Sequence, residues 1–230
     1  MMKIKSVLFL LVSLFPFQVF SIPPLISSGK SPVCLMLQGV APQEDGWSCG
    51  PNMATRVLNF YGIDESLDVI KQNAPLSLNL GFEDTRVGPS PTQLAAYMTR
   101  IAHAAGRFDL NFIVKENATL EDIQRVVEEN QEPVLILTLE GTNGFDLPII
   151  GEVLSIPLLH YLTISGFDRN RNIVHVIDTN DQIYHYPYFA ISQKWHWQLG
   201  AQSPSQRIIK RVLDYLKIQG GLMIVNASAF

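Results

Sequence analysis

A cysteine stands at the predicted start of an amphipathic helix. Cys49 is followed directly by Gly50, Pro51 and Asn52, and apolar residues then recur at helical spacing as far as Gly62. Proline favours the first turn of a helix and glycine the position just beyond its end, so the pattern predicts one helix between them. The unpaired N–H groups and the dipole at a helix N-terminus stabilise a thiolate. Cys49 is therefore the first candidate nucleophile.

The composition is that of a globular protein and not of one that binds nucleic acid. Of 230 residues, 47% are hydrophobic and 17% are charged, and the net charge is −4. This length suits one domain with a substantial core. An acidic chain without a block of Lys and Arg cannot gather phosphates through counterion release, which excludes nucleic acid as a partner. No His, Cys and Asp cluster has metal-ligand spacing, so we expect neither a metal nor a cofactor.

Residues 1–21 have the pattern of a secretory signal peptide. The start is basic, and residues 6–20 are almost wholly apolar. The alternative is an uncleaved membrane anchor, but the apolar run is shorter than the roughly 20 residues of a spanning helix and contains Pro16. We expect cleavage close to Ser21, a secreted or periplasmic location and no stable membrane insertion after cleavage.

Beyond the leader, residues 22–39 are predicted to form a linker or packing arm, and residues 40–230 one folded domain. Helical patterns dominate the first half of that domain and strand patterns the second, which indicates an α+β, two-lobed architecture. Besides the helix at Cys49, helices are predicted at about 65–72, 90–106, 119–127, near 195 and at about 208–216. Strands are predicted at about 109–115, 133–139, 158–167, 173–178 and 222–225, with a long loop over 141–157.

Two of these strands are expected to form a hairpin that carries a histidine and an aspartate. His160 opens the strand 158–167, Asp178 closes the next strand, and residues 168–172 between them have turn chemistry. An antiparallel hairpin brings the start of its first strand beside the end of its second. We therefore expect His160 and Asp178 to face each other, with Asn180 as the rival partner of the histidine.

Four residues together meet the requirements of acyl transfer at a thiol. The chemistry needs a nucleophile, a histidine base, a group that orients the histidine and donors for the oxyanion. Cys49, His160 and Asp178 supply the first three. Gln43 lies six residues before Cys49, near enough for its side-chain amide to join a backbone N–H as an oxyanion donor. The set predicts a thiol enzyme that acts on a peptide or protein substrate.

These motifs resemble those of the C39-like cysteine peptidases of the papain-like superfamily. The resemblance covers roughly residues 40–226 and rests on Gln43, Ser48-Cys49-Gly50-Pro51, His160-Tyr161 beginning a strand that runs into Gly166-Phe167-Asp168, and Val176-Ile177-Asp178. It implies a papain-like fold, in which an N-terminal helical part with the nucleophile helix packs on a C-terminal antiparallel sheet. It also implies a triad of Cys49, His160 and Asp178 with Gln43 in the oxyanion hole. The reaction expected of such a site is hydrolysis of peptide or isopeptide bonds through a thioester.

Two departures from the family pattern concern the strand exit and the substrate. In this family the aspartate is often followed by proline, whereas Thr179 and Asn180 follow Asp178 here, so Asn180 could share the orienting role. Family members that trim bacteriocin leaders after a double glycine are usually fused to a transporter, whereas here we expect a signal peptide at residues 1–21. The substrate therefore does not carry over from the resemblance.

Other interpretations of the same residues are compatible with the sequence. The two cysteines, Cys34 and Cys49, could form a disulfide that closes a loop of about 15 residues, which would leave a non-catalytic binding module. The triad could pass its acyl group to an amine, as a transglutaminase or acyltransferase does, or deamidate a glutamine side chain. Cys49 could also be a small buried residue, His160 a core histidine and Gln43 a loop cap.

The other histidines and an aromatic cluster are predicted to be structural. His103 lies on an Ala-rich helix, and His175 and His185 are strand or loop positions without an acidic or thiol companion in sequence. The cluster Trp195-His196-Trp197 could line a substrate cleft, but aromatic residues at a helix end more often pack.

Overall fold

The computed structural model of the protein describes residues 33–77, 87–149, 152–196 and 220–230. The predicted signal peptide, most of the predicted linker and the predicted helix at 208–216 lie outside these ranges. Within them, no helix is both long enough and apolar enough to cross a membrane.

Five α-helices lie in the described ranges, and local sequence signals set their ends. Ser90 and Thr119 each form a capping box that begins a helix. Gly62 and Gly106 follow two helices with φ of 78° and 80°, which glycine adopts without strain. The helices are α1 (Cys49–Phe60), α2 (Leu67–Asn73), α3 (Pro91–Ala104), α4 (Leu120–Gln124), which continues as a π-helical turn over Arg125–Glu129, and α5 (Tyr188–Trp195).

Seven strands of the described part form one antiparallel sheet. They are β1 (Val33–Cys34), β2 (Phe112–Lys115), β3 (Val134–Ile149), β4 (Glu152–Asp168), β5 (Ile173–Ile177), β6 (Ile183–Pro187) and β7 (Met223–Asn226). The order across the sheet is β2-β7-β3-β4-β5-β6, and β1 pairs with the end of β4. The last strand of the chain therefore lies between β2, which follows α3, and the meander from β3 to β6.

The prediction of a loop over 141–157 is wrong, because β3 and β4 run through it as a long hairpin. Their pairing extends, with one irregularity, as far as Ile149 and Glu152. Pro148 and Pro157 argue against a central strand, since proline cannot donate to a ladder. In the described part, the outer portions of these two strands pair only with each other. Both are edge strands there, and an edge tolerates proline.

The sheet carries an apolar core on each face. Leu135 and Leu137 of β3 pack with α1 and α3, whereas Val134 and Ile136 pack with α4 and α5. Successive side chains of a strand point to opposite faces, so α1 and α5 lie on opposite sides of the sheet. Each large apolar side chain buried in this way contributes about 1.5–3 kcal/mol. The expected α+β architecture, with the helix of Cys49 packed on an antiparallel sheet, is confirmed.

Candidate active site

Cys49 is the first residue of α1 and is buried where that helix meets the sheet. A Cβ at the next residue, Gly50, would lie 3.2 Å from the ring of Tyr161 and 3.2 Å from Pro89, so a side chain there would push the helix away from β4. The Tyr161 hydroxyl donates to the Pro89 carbonyl at 3.0 Å and fixes the ring. The N-terminus of α1 is thus held close against the strand that carries His160.

Asp45 organises the loop that leads into α1, a role that sequence reasoning missed. Its carboxylate accepts hydrogen bonds from the backbone N–H groups of Trp47 at 3.1 Å and Ser48 at 2.8 Å, and it pairs with Lys71 of α2 at 2.6 Å. Burial acts to raise the pKa of Asp45, but the hydrogen bonds from Lys71 and Ser48 outweigh burial and lower it. An aspartate just before a helix is a turn signal that the sequence does contain.

His160 lies within β4, Asp178 directly follows β5, and their side chains meet. His160 Nε2 and Asp178 Oδ1 are 2.6 Å apart, so the expected contact is confirmed. From the β3 side, the Thr138 hydroxyl donates to the His160 carbonyl at 3.1 Å. The sequence pattern predicted that His160 opens its strand. The strand begins at Glu152 instead, so His160 lies inside it.

Two neighbours, Asp178 and Cys49, determine the charge of His160. Burial acts to lower the pKa of His160, but hydrogen bonds to Asp178 and to Cys49, with the negative charges of both, raise it to about 10. At Asp178 burial acts in the opposite direction, and the bond with His160 and two bonds from Thr179 lower the pKa of the carboxyl. Asp178 and Cys49 together therefore favour the protonated form of His160.

Asn180, the rival partner of the histidine, bonds elsewhere. Its side-chain nitrogen donates to the Tyr184 hydroxyl at 2.6 Å, and its Oδ1 accepts from the Gln182 N–H at 3.1 Å. Thr179, which stands where the family that the sequence resembles often has proline, donates both its N–H and its hydroxyl to Asp178. Proline has no N–H to donate. The departure from the family pattern therefore adds support to the aspartate and leaves Asn180 outside the pair.

Gln43 lies beside the turn that carries Asp178. Its backbone N–H donates to the Thr179 carbonyl at 2.9 Å. Its side-chain amide donates to the carbonyl of Asp45, which ties Gln43 to the loop before α1. An amide nitrogen carries two N–H groups, so one of them is committed to this loop and the other can serve a further acceptor.

Cys34 and Cys49 are both free thiols in the structure. Cys34 is exposed on β1, where it stands opposite Gly166 of β4, whereas Cys49 is buried. The disulfide considered from the sequence is not formed. The arm that carries Cys34 packs instead through the buried side chains of Leu35 and Leu37.

His175 and His185 bond to each other, an interaction that sequence reasoning missed. They are direct partners across β5 and β6, and their Nδ1 atoms are 2.7 Å apart. Burial and the charge of His185 lower the pKa of His175. Antiparallel pairing of two adjacent strands could have predicted the contact. Among the described residues, no group of three or more His, Cys, Asp or Glu could hold a metal ion.

Trp195, His196 and His103, which were predicted to be structural, pack against aromatic rings or in the core. Trp195 is fully buried, and its Nε1 donates to the Leu222 carbonyl at 2.8 Å. The His196 ring lies 4.6 Å from the Trp195 ring, and the His103 ring 5.5 Å from that of Phe108. Trp195 therefore belongs to the core and not to a substrate cleft. Trp197, the third residue of the aromatic cluster, lies outside the described residues.

The chain is similar to known proteins in sequence and in fold. A structure of a candidate C39-like peptidase from Bacillus anthracis superimposes with a TM-score of 0.56 at 13% identity, over 86% of this chain and 98% of that one. At this identity the likeness concerns the fold alone. Curated proteins give no significant match. The sequence model of the peptidase C39-like family matches residues 38–203, which is well over half of the chain. The chain therefore belongs to the C39-like peptidase family.

Proposed function

We propose that the protein is a cysteine peptidase in which Cys49 is the nucleophile, His160 the general base and acid, and Asp178 the group that orients the histidine. One observation carries the proposal: His160 Nε2 lies 2.6 Å from Asp178 Oδ1, and Cys49, the first residue of a helix, acts with that carboxylate to raise the pKa of the histidine. A histidine whose pKa is raised to about 10 readily holds the proton that a thiol gives up. Such a pair can move the proton from the sulfur to the histidine and so supply the nucleophile.

The reaction passes through a thioester on Cys49. His160 takes the Sγ proton, the sulfur bonds to the carbonyl carbon of a peptide or isopeptide bond, and the π electrons of the C=O move to its oxygen. When the C=O re-forms, the C–N bond breaks and His160 protonates the leaving amine. A water molecule then gives a proton to His160 and attacks the thioester. The C–S bond breaks, the proton returns to the sulfur, and the carboxylic acid leaves.

Two donors would hold the oxyanion of each tetrahedral intermediate. The first is the backbone N–H of Cys49, one of the N–H groups that the start of a helix leaves without a partner. The second is the side-chain N–H of Gln43 that is not committed to Asp45. Removal of one such donor typically lowers kcat by about 10²–10³-fold. Gln43→Ala should therefore reduce kcat more than it changes KM.

The predicted leader supports a location outside the cytoplasm. We infer that residues 1–21 are removed on export, that residues 22–39 serve as a linker or packing arm, and that residues 40–230 form the peptidase domain. N-terminal sequencing of the protein from the extracellular or periplasmic fraction of its host should begin close to residue 22. Mature protein that still begins at Met1 would contradict export by cleavage.

Labelling and product analysis test the catalytic proposal together. A peptide probe with a thiol-reactive acyl group should label the wild type and Cys34→Ala, but not Cys49→Ala. Circular dichroism should show that all three remain folded. Mass spectrometry of a peptide library should reveal cleaved peptides that have gained water. Persistent labelling of Cys49→Ala would refute the nucleophile. Products that have gained an amine, or in which water has only converted a side-chain amide to a carboxyl with release of ammonia, would refute cleavage of peptide bonds.

A further inference from the structure

Arg56 is a buried cation on α1, on the same helix face as Cys49. Positions i and i+7 of a helix share one face, two turns apart. The Arg56 side chain has 0% exposure. A buried guanidinium is costly unless its charge is paired and its donors are satisfied. The groups that accept its hydrogen bonds therefore indicate the structural role of Arg56.

The donors of Arg56 reach its own helix, the arm before the helix, and a distant turn. Nε donates to Asn52 Oδ1 at 3.1 Å, Nη1 to the Leu37 carbonyl at 3.1 Å, and Nη2 to the Val40 carbonyl at 3.3 Å. Nη1 also pairs with the carboxylate of Asp181. One guanidinium thus joins three separate parts of the chain.

Asp181 extends these bonds to the turn after β5. Its two carboxylate oxygens accept from the Gly39 N–H at 3.1 and 3.2 Å, and the Gln38 amide donates to its carbonyl at 3.3 Å. Its own N–H donates to the Asp178 carbonyl at 3.1 Å. The φ of Asp181 is +64°, in a region that few residues other than glycine adopt. The turn that begins with Asp178 is therefore fixed to the arm before α1.

The same arm leads to Gln43. Asn52, which accepts from Arg56, donates to the Ala41 carbonyl at 2.8 Å. Gln43 then donates its N–H to the Thr179 carbonyl at 2.9 Å. The helix of the nucleophile, the segment of the oxyanion donor and the turn of the carboxylate are consequently linked through one ion pair, between the buried Arg56 and the partly exposed Asp181, and the residues that this pair touches.

We propose that Arg56 and Asp181 are positioning residues that set how Asp178 and Gln43 lie relative to Cys49. The inference rests on the proposed function, and neither residue touches the reacting atoms. A lysine could not replace Arg56, because a guanidinium directs several donors in a fixed fork whereas an ammonium is a single compact charge.

The test measures two quantities in Arg56→Lys and Asp181→Asn: the NMR titration midpoint of His160, and kcat and KM for a cleaved peptide. Misplacement of Asp178 should lower the midpoint by at least about one pH unit and kcat by about tenfold or more, with KM changed by less than about threefold. Arg107→Lys is the matched control, because Arg107 pairs with Asp109 and donates to the Tyr61 carbonyl at the opposite end of α1.

A third variant covers the case in which a single charge left alone prevents folding. Arg56→Met combined with Asp181→Asn removes both charges, so neither remains buried without a partner. If the folded double variant keeps the wild-type midpoint and kcat, the inference is overturned. It is also overturned if the double variant fails to fold, since the pair then serves folding alone. Failure of the proposed function looks different: the wild type itself would lack a raised His160 midpoint and labelling at Cys49.

Discussion

Two histidines on adjacent strands, His160 of β4 and His175 of β5, bond at nearly the same distance and have opposite electrostatics. His160 lies 2.6 Å from the carboxylate of Asp178, and His175 lies 2.7 Å from the imidazole of His185. Burial lowers the pKa of both histidines, but Asp178 and Cys49 raise that of His160 to about 10, whereas the charge of His185 lowers that of His175 further. The charge of the partner, and not the length of the bond, decides the protonation state.

The comparison also separates a reactive pair from a structural one. His160 holds a proton beside a thiol, which suits a residue that moves protons. His175 and His185 share one hydrogen bond between two strands and have no thiol next to them in sequence. Their contact contributes to the pairing of β5 with β6. Four experiments test this contrast, and they follow in order of decreasing expected effect.

Replacing each histidine by glutamine should affect the reaction very differently. His160→Gln removes the group that takes and returns the proton, so kcat should fall by about 10²–10⁴-fold. His185→Gln is the control and should leave kcat within about twofold, because it changes only the structural pair. Steady-state cleavage of one peptide by both folded variants measures the difference. Similar losses of kcat in the two variants would contradict the distinction between a reactive and a structural histidine.

Replacing Asp178 by asparagine should make the electrostatics of His160 resemble those of His175. Asp178→Asn removes the carboxylate but leaves His160 buried, so the pKa of His160 should fall. Loss of the aspartate that orients a triad histidine can cost about 10⁴-fold, so kcat should drop by up to about that factor. Asn180→Ala, the matched control, should change neither. NMR titration of His160 in both variants checks the expectation. A midpoint that moves in Asn180→Ala would give the orienting role to that residue instead.

The pair of His160 and Asp178 should stabilise the protein most at neutral and mildly acidic pH. The folded pKa of His160, about 10, lies above its unfolded value of about 6.5. The contribution of protonated His160 to the free energy of unfolding is therefore complete below pH 6.5 and is lost as the pH rises towards 10. The difference in Tm between wild type and His160→Gln should exceed about 4 °C at pH 6.5 and shrink at high pH. A difference that grows with pH would contradict the raised pKa.

The pair of His175 and His185 should lower the stability of the protein at acidic pH, which is the opposite of the effect of His160, and by the smallest amount of the four. Because the pKa of His175 is lowered in the folded state, the unfolded chain binds a proton first as the pH falls below about 6.5, and stability declines. His175→Gln should reduce this decline, by no more than about 2 °C in Tm, since the residue is only half-buried. Thermal melts between neutral pH and about pH 5 would reveal an equal decline in wild type and variant if the interpretation is wrong.

Local signals predicted much of the fold and of the candidate site. The start of α1 at Cys49 and the capping box at Ser90 depend on residues within one helical turn, and antiparallel symmetry places His160 near Asp178. The long hairpin of β3 and β4 was not predicted because Pro148 has the character of a loop residue, and only the edge position of its strand makes it tolerable.

Two features of the site could be predicted from the residues alone: the position of the thiol on its helix, and the hairpin that carries both His160 and Asp178. Both follow from periodicity, capping and the geometry of a short turn, which act between near neighbours. The pairing of Asp45 with Lys71, that of Arg56 with Asp181, and the place of β7 between β2 and β3 are visible only in the folded protein. These contacts join distant parts of the chain, and no periodic pattern encodes them, because their partners meet only in the folded chain.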